Sequence, residues 1–491
     1  MSSKIKIKIL TIISIVLLCT ALTIKEFQND TFYMIKLGND ILKNGIDLKD
    51  KYCWITNLDY TYPHWLYDVF LAIIHNKYNN IGIYITTIIE FIILIITIYK
   101  INIKINKKDF LAFIVSLLSI FFLVPFVTAR SQLVTILLYL LQVYSIEKLI
   151  ETGKKKYIVF LVIDSLLIAN IHATIWMFTF ILYLPYLINN VVYIIFKNKN
   201  LKIEKIIIEK TKNIKLLFIS MLLSFFIGMV SPSKICYTYI FKVMNGSSQQ
   251  YILEHAPMTV IQHPSFIAMF LILLIILIFS NTKVYLKELF MICGLIFMSL
   301  ISIRHLMFFY TIGIYYISII CNRYLITKND RTLEILEKII TTKKLIYCSI
   351  IMILLLVSGY KLNENYKKSY VPKDEYPVEA IDFIKTKINP EDLKLYNHYN
   401  YGSYLLYNNI QVFVDSRCDL YLPEFNGLDY NIFEDSMNVD KNYQEIFKFY
   451  NITHVLIKKD SLLYNILIND NNYQLIYNDK YFVLLEREVN E

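Results

Sequence analysis

The chain has 491 residues, 56% of them hydrophobic, with a mean hydropathy of +0.47. That is more apolar than a water-soluble core requires and calls for lipid as solvent, so the composition predicts a polytopic α-helical membrane protein. A formal net charge of +10 would suit nucleic acid, but the residues from Lys361 onward carry 14 basic and 21 acidic groups, so the excess lies earlier, in short loops between apolar runs. This is the positive-inside pattern of a membrane protein, and it excludes nucleic acid as a partner.

In chain order, Lys4, Lys6 and Lys8 precede a first apolar run, residues 9–24. No small-residue cleavage site follows, so the run reads as an uncleaved helix with the N-terminus in the cytoplasm. Residues 25–79 then form an external loop rich in acids and aromatics. Its first part predicts a short helix with Asn29 or Asp30 at the N-cap and Gly45 at the end. Its second part holds Tyr62-Pro63-His64-Trp65-Leu66-Tyr67-Asp68.

Further apolar runs cover 81–99, 110–128, 133–149, 157–169, 174–196, 216–230, 265–280, 289–303, 306–321 and 345–357, giving about eleven transmembrane helices. Several fall short of a perpendicular crossing, which suits tilted helices or polar ends facing a cavity. Under this count the basic stretches 100–108, 154–156, 197–215, 283–287 and 323–344 all fall in the cytoplasm. The other face receives Arg130, Asn170 with His172, Ser231-Pro232-Ser233, Glu254 with His255, and Arg304 with His305.

Eleven crossings leave the tail outside. The division is therefore a membrane domain over 1–357 and an extracytoplasmic soluble α/β domain over 358–491. In the tail, 377–388 reads as a helix, and 393–396, 411–415, 454–457, 474–476 and 481–485 read as short strands. Helices are expected near 444–450 and 461–468. The seven cysteines have no metal-ligand spacing and outline neither a zinc site nor a disulfide framework.

Several short motifs resemble the GT-C superfamily of membrane glycosyltransferases, which includes protein O-mannosyltransferases and the aminoarabinose transferase of lipid A. They are Asp30-Thr31-x-Tyr33 with Gly38 and Leu42-x-x-Gly45, Pro63-His64-Trp65-Leu66, Arg130-x-Gln132, Asn170-x-His172, Ser231-Pro232 and Arg304-His305. The tail adds Asn397-x-Tyr399-x-Tyr401-Gly402-Ser403-Tyr404 and Val414-Asp415-Ser416-Arg417. More closely, the chain resembles a bacterial branch of that superfamily. Two departures are Thr31, where the family's start has Glu, and the lack of a Lys-Pro pair before Trp65.

The resemblance implies a sugar donor on a polyprenyl phosphate and a single inverting displacement at the outer face of the cell membrane. That reaction needs a carboxylate to deprotonate the acceptor and cations to hold the departing phosphate. Asp30 takes the place of the family's catalytic acid; it also suits a helix N-cap. Arg130 and Arg304 are the candidate phosphate grips, and each also suits an arginine reaching lipid headgroups. His305 and His172 belong to the same cavity on this reading, or bond helix to helix. His64 and Trp65 line a sugar or acceptor site, or anchor the interface.

Arg417 after a strand suits an anion, or an internal pair with Asp415. Asp40 and Asp68 are secondary acids, better read as solvated. Glu254-His255 offers a second acid or a metal ligand, but one Glu and one His do not make a metal site. No cofactor is predicted, a divalent metal stays open, and nothing specifies an oligomeric state. Two rivals share these features: a polysaccharide polymerase or ligase using the same lipid carriers, and a transporter or assembly subunit without chemistry.

Overall fold

In lipid, a backbone amide has no solvent partner and must bond within its own segment, so long apolar runs become helices. The computed structural model describes residues 3–56, 58–106, 109–197, 205–232, 234–244, 251–252, 254–279, 282–328 and 344–488. Parts of the basic loops (107–108, 198–204 and 329–343) and Ser233 lie outside the described residues.

The first helices are α1 (Ser3–Leu22), α2 (Asn29–Asn44), α3 (Trp65–Asn106), α4 (Asp109–Leu123), α5 (Gln132–Thr152) and α6 (Lys156–Ile171). Later ones include Leu184–Phe196, Ile214–Ile227, Pro264–Phe279, Leu286–Ile301, Ile314–Lys328 and Lys344–Lys367. Among the described residues five helical segments are long and apolar enough to cross a membrane: Trp65–Asn106, Asp109–Phe126, Gln132–Thr152, Ala173–Phe196 and Ile303–Arg323. The protein is a polytopic helical membrane protein. α3 is two helices in series, interrupted at Asn79, whose φ of 52° is left-handed.

The chain forms two compact units. The first is drawn from Met1–Ile24, Tyr84–Tyr237 and Leu253–Lys367. Here α1 lies along Lys344–Lys367, and the Asn365 side chain donates to the carbonyls of Ala21 and Thr23 at 2.9 and 3.0 Å. α6 packs against α5 and Ile214–Ile227 through small polar residues. Ser165 donates to Ser224 O at 2.8 Å and accepts from Trp176 Nε1 at 2.9 Å, a form of contact that lets helices approach closely. Short strands β1 (Ile206–Ile207) and β2 (Val284–Tyr285) pair in parallel.

Two helix breaks in this unit matter for function. α6 stops at His172, with φ −156° and ψ 65°, and a 3-10 turn follows. Leu286–Ile301 stops at an extended Ser302, and the 3-10 turn Ile303–His305 follows.

The second unit is drawn from Lys25–Ile83, Thr238–Ile252 and Lys368–Glu491. It holds a four-stranded sheet in the order β3 (Leu395–Asn397), β4 (His454–Lys458), β6 (Phe482–Arg487), β5 (Tyr473–Asn478). β3 and β4 are parallel, and the other pairs antiparallel. Helices Val378–Lys387, Tyr399–Tyr407, Ile432–Phe449 and Leu462–Leu467 accompany it; the first and last match the predicted spans, while Ile432–Phe449 begins well before the predicted 444–450.

Residues 411–415 are a correction: they join no sheet. Val412 instead makes one parallel bridge with Cys53, and its backbone bonds to Tyr52 and Trp54. The Asn397 amide completes the pairing, accepting from Phe413 N at 2.9 Å and donating to Val414 O at 2.7 Å. A side chain has taken the place of a strand neighbour. Gly402 is required beside it, because a Cβ there would lie 2.0 Å from Val414 O.

Candidate functional site

In the second unit, α2 begins beside the tail. Phe27 N donates to Tyr370 O at 3.0 Å, Tyr376 Oη to Phe27 O at 2.9 Å, and Asn29 Nδ2 to Tyr399 O at 2.8 Å. Phe32 packs edge-on against Tyr376 and Tyr404. These contacts fix Asp30 in the first turn of α2, half-buried. The N-cap is Gln28, not Asn29 or Asp30, and Gly45 ends the helix as predicted, with φ 77°.

The secondary acids are not the solvated groups expected. Asp40 accepts a hydrogen bond from the Tyr52 hydroxyl. Asp68, on the first turn of α3, is fully buried, and neither carboxylate oxygen has a hydrogen-bond partner; the Asp30 charge acts on it. The cause is close packing: a Cβ on Gly38 of α2 would lie 2.0 Å from the Asp68 carbonyl. His64 is buried just before α3, and Trp65, half-buried, is its first residue.

At Arg417 the internal pair with Asp415 is formed. Its side chain is wholly buried; Nη1 donates to Asp50 at 2.5 Å, and Nε and Nη2 grip Asp415 at 3.0 and 2.7 Å. Tyr421 also donates to Asp415, and the guanidinium lies over the rings of Tyr52 and Tyr60. Two carboxylates already exceed its single charge, so it is an internal clamp rather than an anion grip. Asp50 was missing from the sequence reading, since 367 positions separate the partners.

In the first unit, four separated segments meet. Arg130, next to the start of α5, donates to Glu254 Oε1 at 3.0 Å. Arg304 Nη1 lies 3.2 Å from His255 Nε2, and its Nη2 lies 3.0 Å from His172 Nε2. His172 Nδ1 lies 3.1 Å from Thr135 Oγ1. The backbone holds the register: Arg304 N donates to Glu254 O, Ile303 N to Ala256 O, and Ser302 Oγ to Glu254 O. His305 donates through Nδ1 to Met298 O, back along its own helix.

The electrostatics follow from these contacts. The Arg130 guanidinium holds the Glu254 carboxyl below its ordinary range, against the opposing effect of burial. Burial first, and the Arg304 charge next, push His255 down to about 3, so it is neutral at physiological pH. Among the described residues no carboxylate lies within salt-bridge distance of Arg304, and its Nε is buried without a partner. Taking both histidines as neutral, two arginines face one glutamate, which is the charge balance of an anion site.

Of the residues named from sequence, Arg130, Arg304 and His172 come together. Glu254 and His255 complete the cluster, and their signal was their position on the same predicted face. Among the described residues no group of three or more His, Cys, Asp or Glu could hold a metal ion.

No family model matches the sequence, and neither does any curated protein. Solved structures do match. The oligosaccharyltransferase of Archaeoglobus fulgidus, tethered to an acceptor peptide containing the NVT sequon, aligns with a TM-score of 0.57 and 10% identity over 92% of this chain and 69% of that one. AglB from the same organism, in complex with an inhibitory peptide and a dolichol-phosphate, gives 0.57 and 10% over 93% and 70%. ArnT from Cupriavidus metallidurans, bound to undecaprenyl phosphate, gives 0.56 and 9% over 99% and 98%. At such identities the likeness is one of fold: the chain has the fold of GT-C membrane glycosyltransferases.

Proposed function

We propose that the protein is an inverting glycosyltransferase of the cell membrane, moving a sugar from a polyprenyl-phosphate donor to a cell-envelope glycan, lipid or protein on the outer face. The observation that carries this reading is Arg304, a guanidinium held at a helix break by two imidazoles, with no carboxylate in salt-bridge distance among the described residues. The fold supports it, since two neighbours of this architecture were solved with a dolichol-phosphate and with undecaprenyl phosphate.

On this reading Asp30 takes the proton from an acceptor hydroxyl as its oxygen attacks the anomeric carbon. The bond from that carbon to the phosphate oxygen breaks, and its electron pair leaves with the lipid phosphate. Arg304, with Arg130 beside Glu254, is the proposed grip for a lipid phosphate. Trp65 offers an aromatic face for the sugar or acceptor, with His64 beside it. The chain crosses the membrane eleven times, its N-terminus lies in the cytoplasm, and its tail forms an extracytoplasmic α/β domain.

The test is a transfer assay on the full chain in nanodiscs, with polyprenyl-phosphate sugars as donors. Asp30→Asn should lower turnover by about 100-fold or more, the scale of a lost general base, with donor binding intact. Turnover within about three-fold of wild type would remove Asp30 from that role.

A further inference from the structure

Among the described residues, the networks around Arg417 and Arg304 are built in opposite ways. Arg417 is fixed by two carboxylates, Asp50 and Asp415, which more than cancel its charge. Arg304 is held from both Nη atoms by imidazoles. A guanidinium has only donors, so each imidazole must present an unprotonated Nε2. For His172 the proton then sits on Nδ1 and is donated to Thr135 Oγ1, whose own proton goes to Ser131 O at 2.7 Å. The tautomer is set by a chain that ends on a backbone carbonyl. His255 is brought to Arg304 by the backbone bonds of residues 254–256 to 302–304.

We infer that His172 and His255 are positioning residues that orient Arg304 without neutralising it, so that it meets a phosphate group with its charge unspent. A carboxylate in either place would hold the guanidinium better and spoil it as an anion site. Imidazole is the side chain that accepts a strong hydrogen bond through a ring nitrogen while bringing no charge. The inference rests on the donor reading above and adds to it what keeps the phosphate grip available. The shared chemistry is a phosphate group, supplied by a lipid or by inorganic phosphate.

The experiment measures binding of undecaprenyl phosphate to the full chain in nanodiscs, with inorganic phosphate in a parallel arm. His172→Ala and His255→Ala should each weaken binding by about ten-fold, a lost hydrogen bond to a charged group. His172→Gln and His255→Gln, which restore a neutral acceptor, should recover most of it. His255→Glu is the discriminating variant: it should melt at or above wild type yet bind about 100-fold more weakly, because a carboxylate now spends the charge. If binding by His255→Glu equals wild type, or His→Ala variants bind normally, the inference is overturned while the donor reading stands. Wild type that binds neither form of phosphate overturns both. Binding of inorganic phosphate as tightly as the lipid would keep the positioning role and remove the lipid as the source of specificity.

Discussion

Removing the Arg417 guanidinium should separate two parts of the second unit that are joined nowhere else by a buried ion pair among the described residues. In Arg417→Ala, Asp50 and Asp415, with side chains 1% and 0% exposed, would face each other without a cation. Breaking a buried pair by deleting one partner costs about 3–5 kcal/mol, chiefly because a charge stays buried alone. The rings of Tyr52 and Tyr60, 5.3 and 5.0 Å from the guanidinium, lose their cation as well, which argues for the upper end. A whole domain is stable by about 5–15 kcal/mol, so the loss is a large share. At roughly 2–4 °C per kcal/mol for a unit of this size, the melting point should fall by about 10 °C.

The assay is a thermal melt of the full chain in detergent, paired with limited proteolysis of the 25–83 segment and the tail. The triple change Asp50→Asn, Asp415→Asn and Arg417→Leu removes every buried charge together and should recover most of the stability. A single Arg417→Ala variant melting within about 2 °C of wild type, with unchanged proteolysis, would refute the reasoning.

Three further outcomes follow from local geometry. Gly402→Ala places a methyl 2.0 Å from Val414 O, so it should cost about 1–3 kcal/mol or more and lower the same melting transition as Arg417→Ala; an unchanged melt would mean the 411–415 segment yields freely. Asp68→Asn keeps the volume of a buried carboxyl that has no hydrogen bond, so the melt should hold or rise; a fall together with lost transfer would show that the carboxyl itself is needed. Acid should weaken the Arg304 cluster. His255 is neutral in the fold down to about 3 but gains a proton when unfolded below about 6.5, so its contribution is complete above 6.5 and lost as pH falls toward 3. Glu254, held low by Arg130, loses its share in the same direction as pH falls through its lowered value. Melting points measured from pH 7 downward should therefore drop more steeply in wild type than in His255→Gln; parallel curves would count against His255 as the source.

Local features were readable along the chain where the chemistry is local. Gly45 ends α2 because a left-handed residue there costs glycine nothing, and the apolar runs are helical because lipid leaves no alternative. Val378–Lys387, Leu462–Leu467 and four of the five predicted strands were legible from periodicity, whereas Ile432–Phe449 was expected only near 444–450. The fifth failed at 411–415, where the short apolar run 412–414 pairs with Cys53 and the Asn397 side chain instead of a strand.

The sequence by itself determined the solvent, the helical class and which polar residues are too costly to leave unaccounted for: Asp30, Arg130, His172, Arg304 and Arg417. Only the tertiary structure decided which of these are spent internally and which stay available. Arg304 and Arg417 are both arginines in short motifs, yet one meets imidazoles and the other carboxylates, drawn from segments 49, 132 and 367 positions away. A guanidinium's value to an anion depends on the charge of its nearest neighbours through space, and hydropathy and spacing along the chain carry no record of that distance.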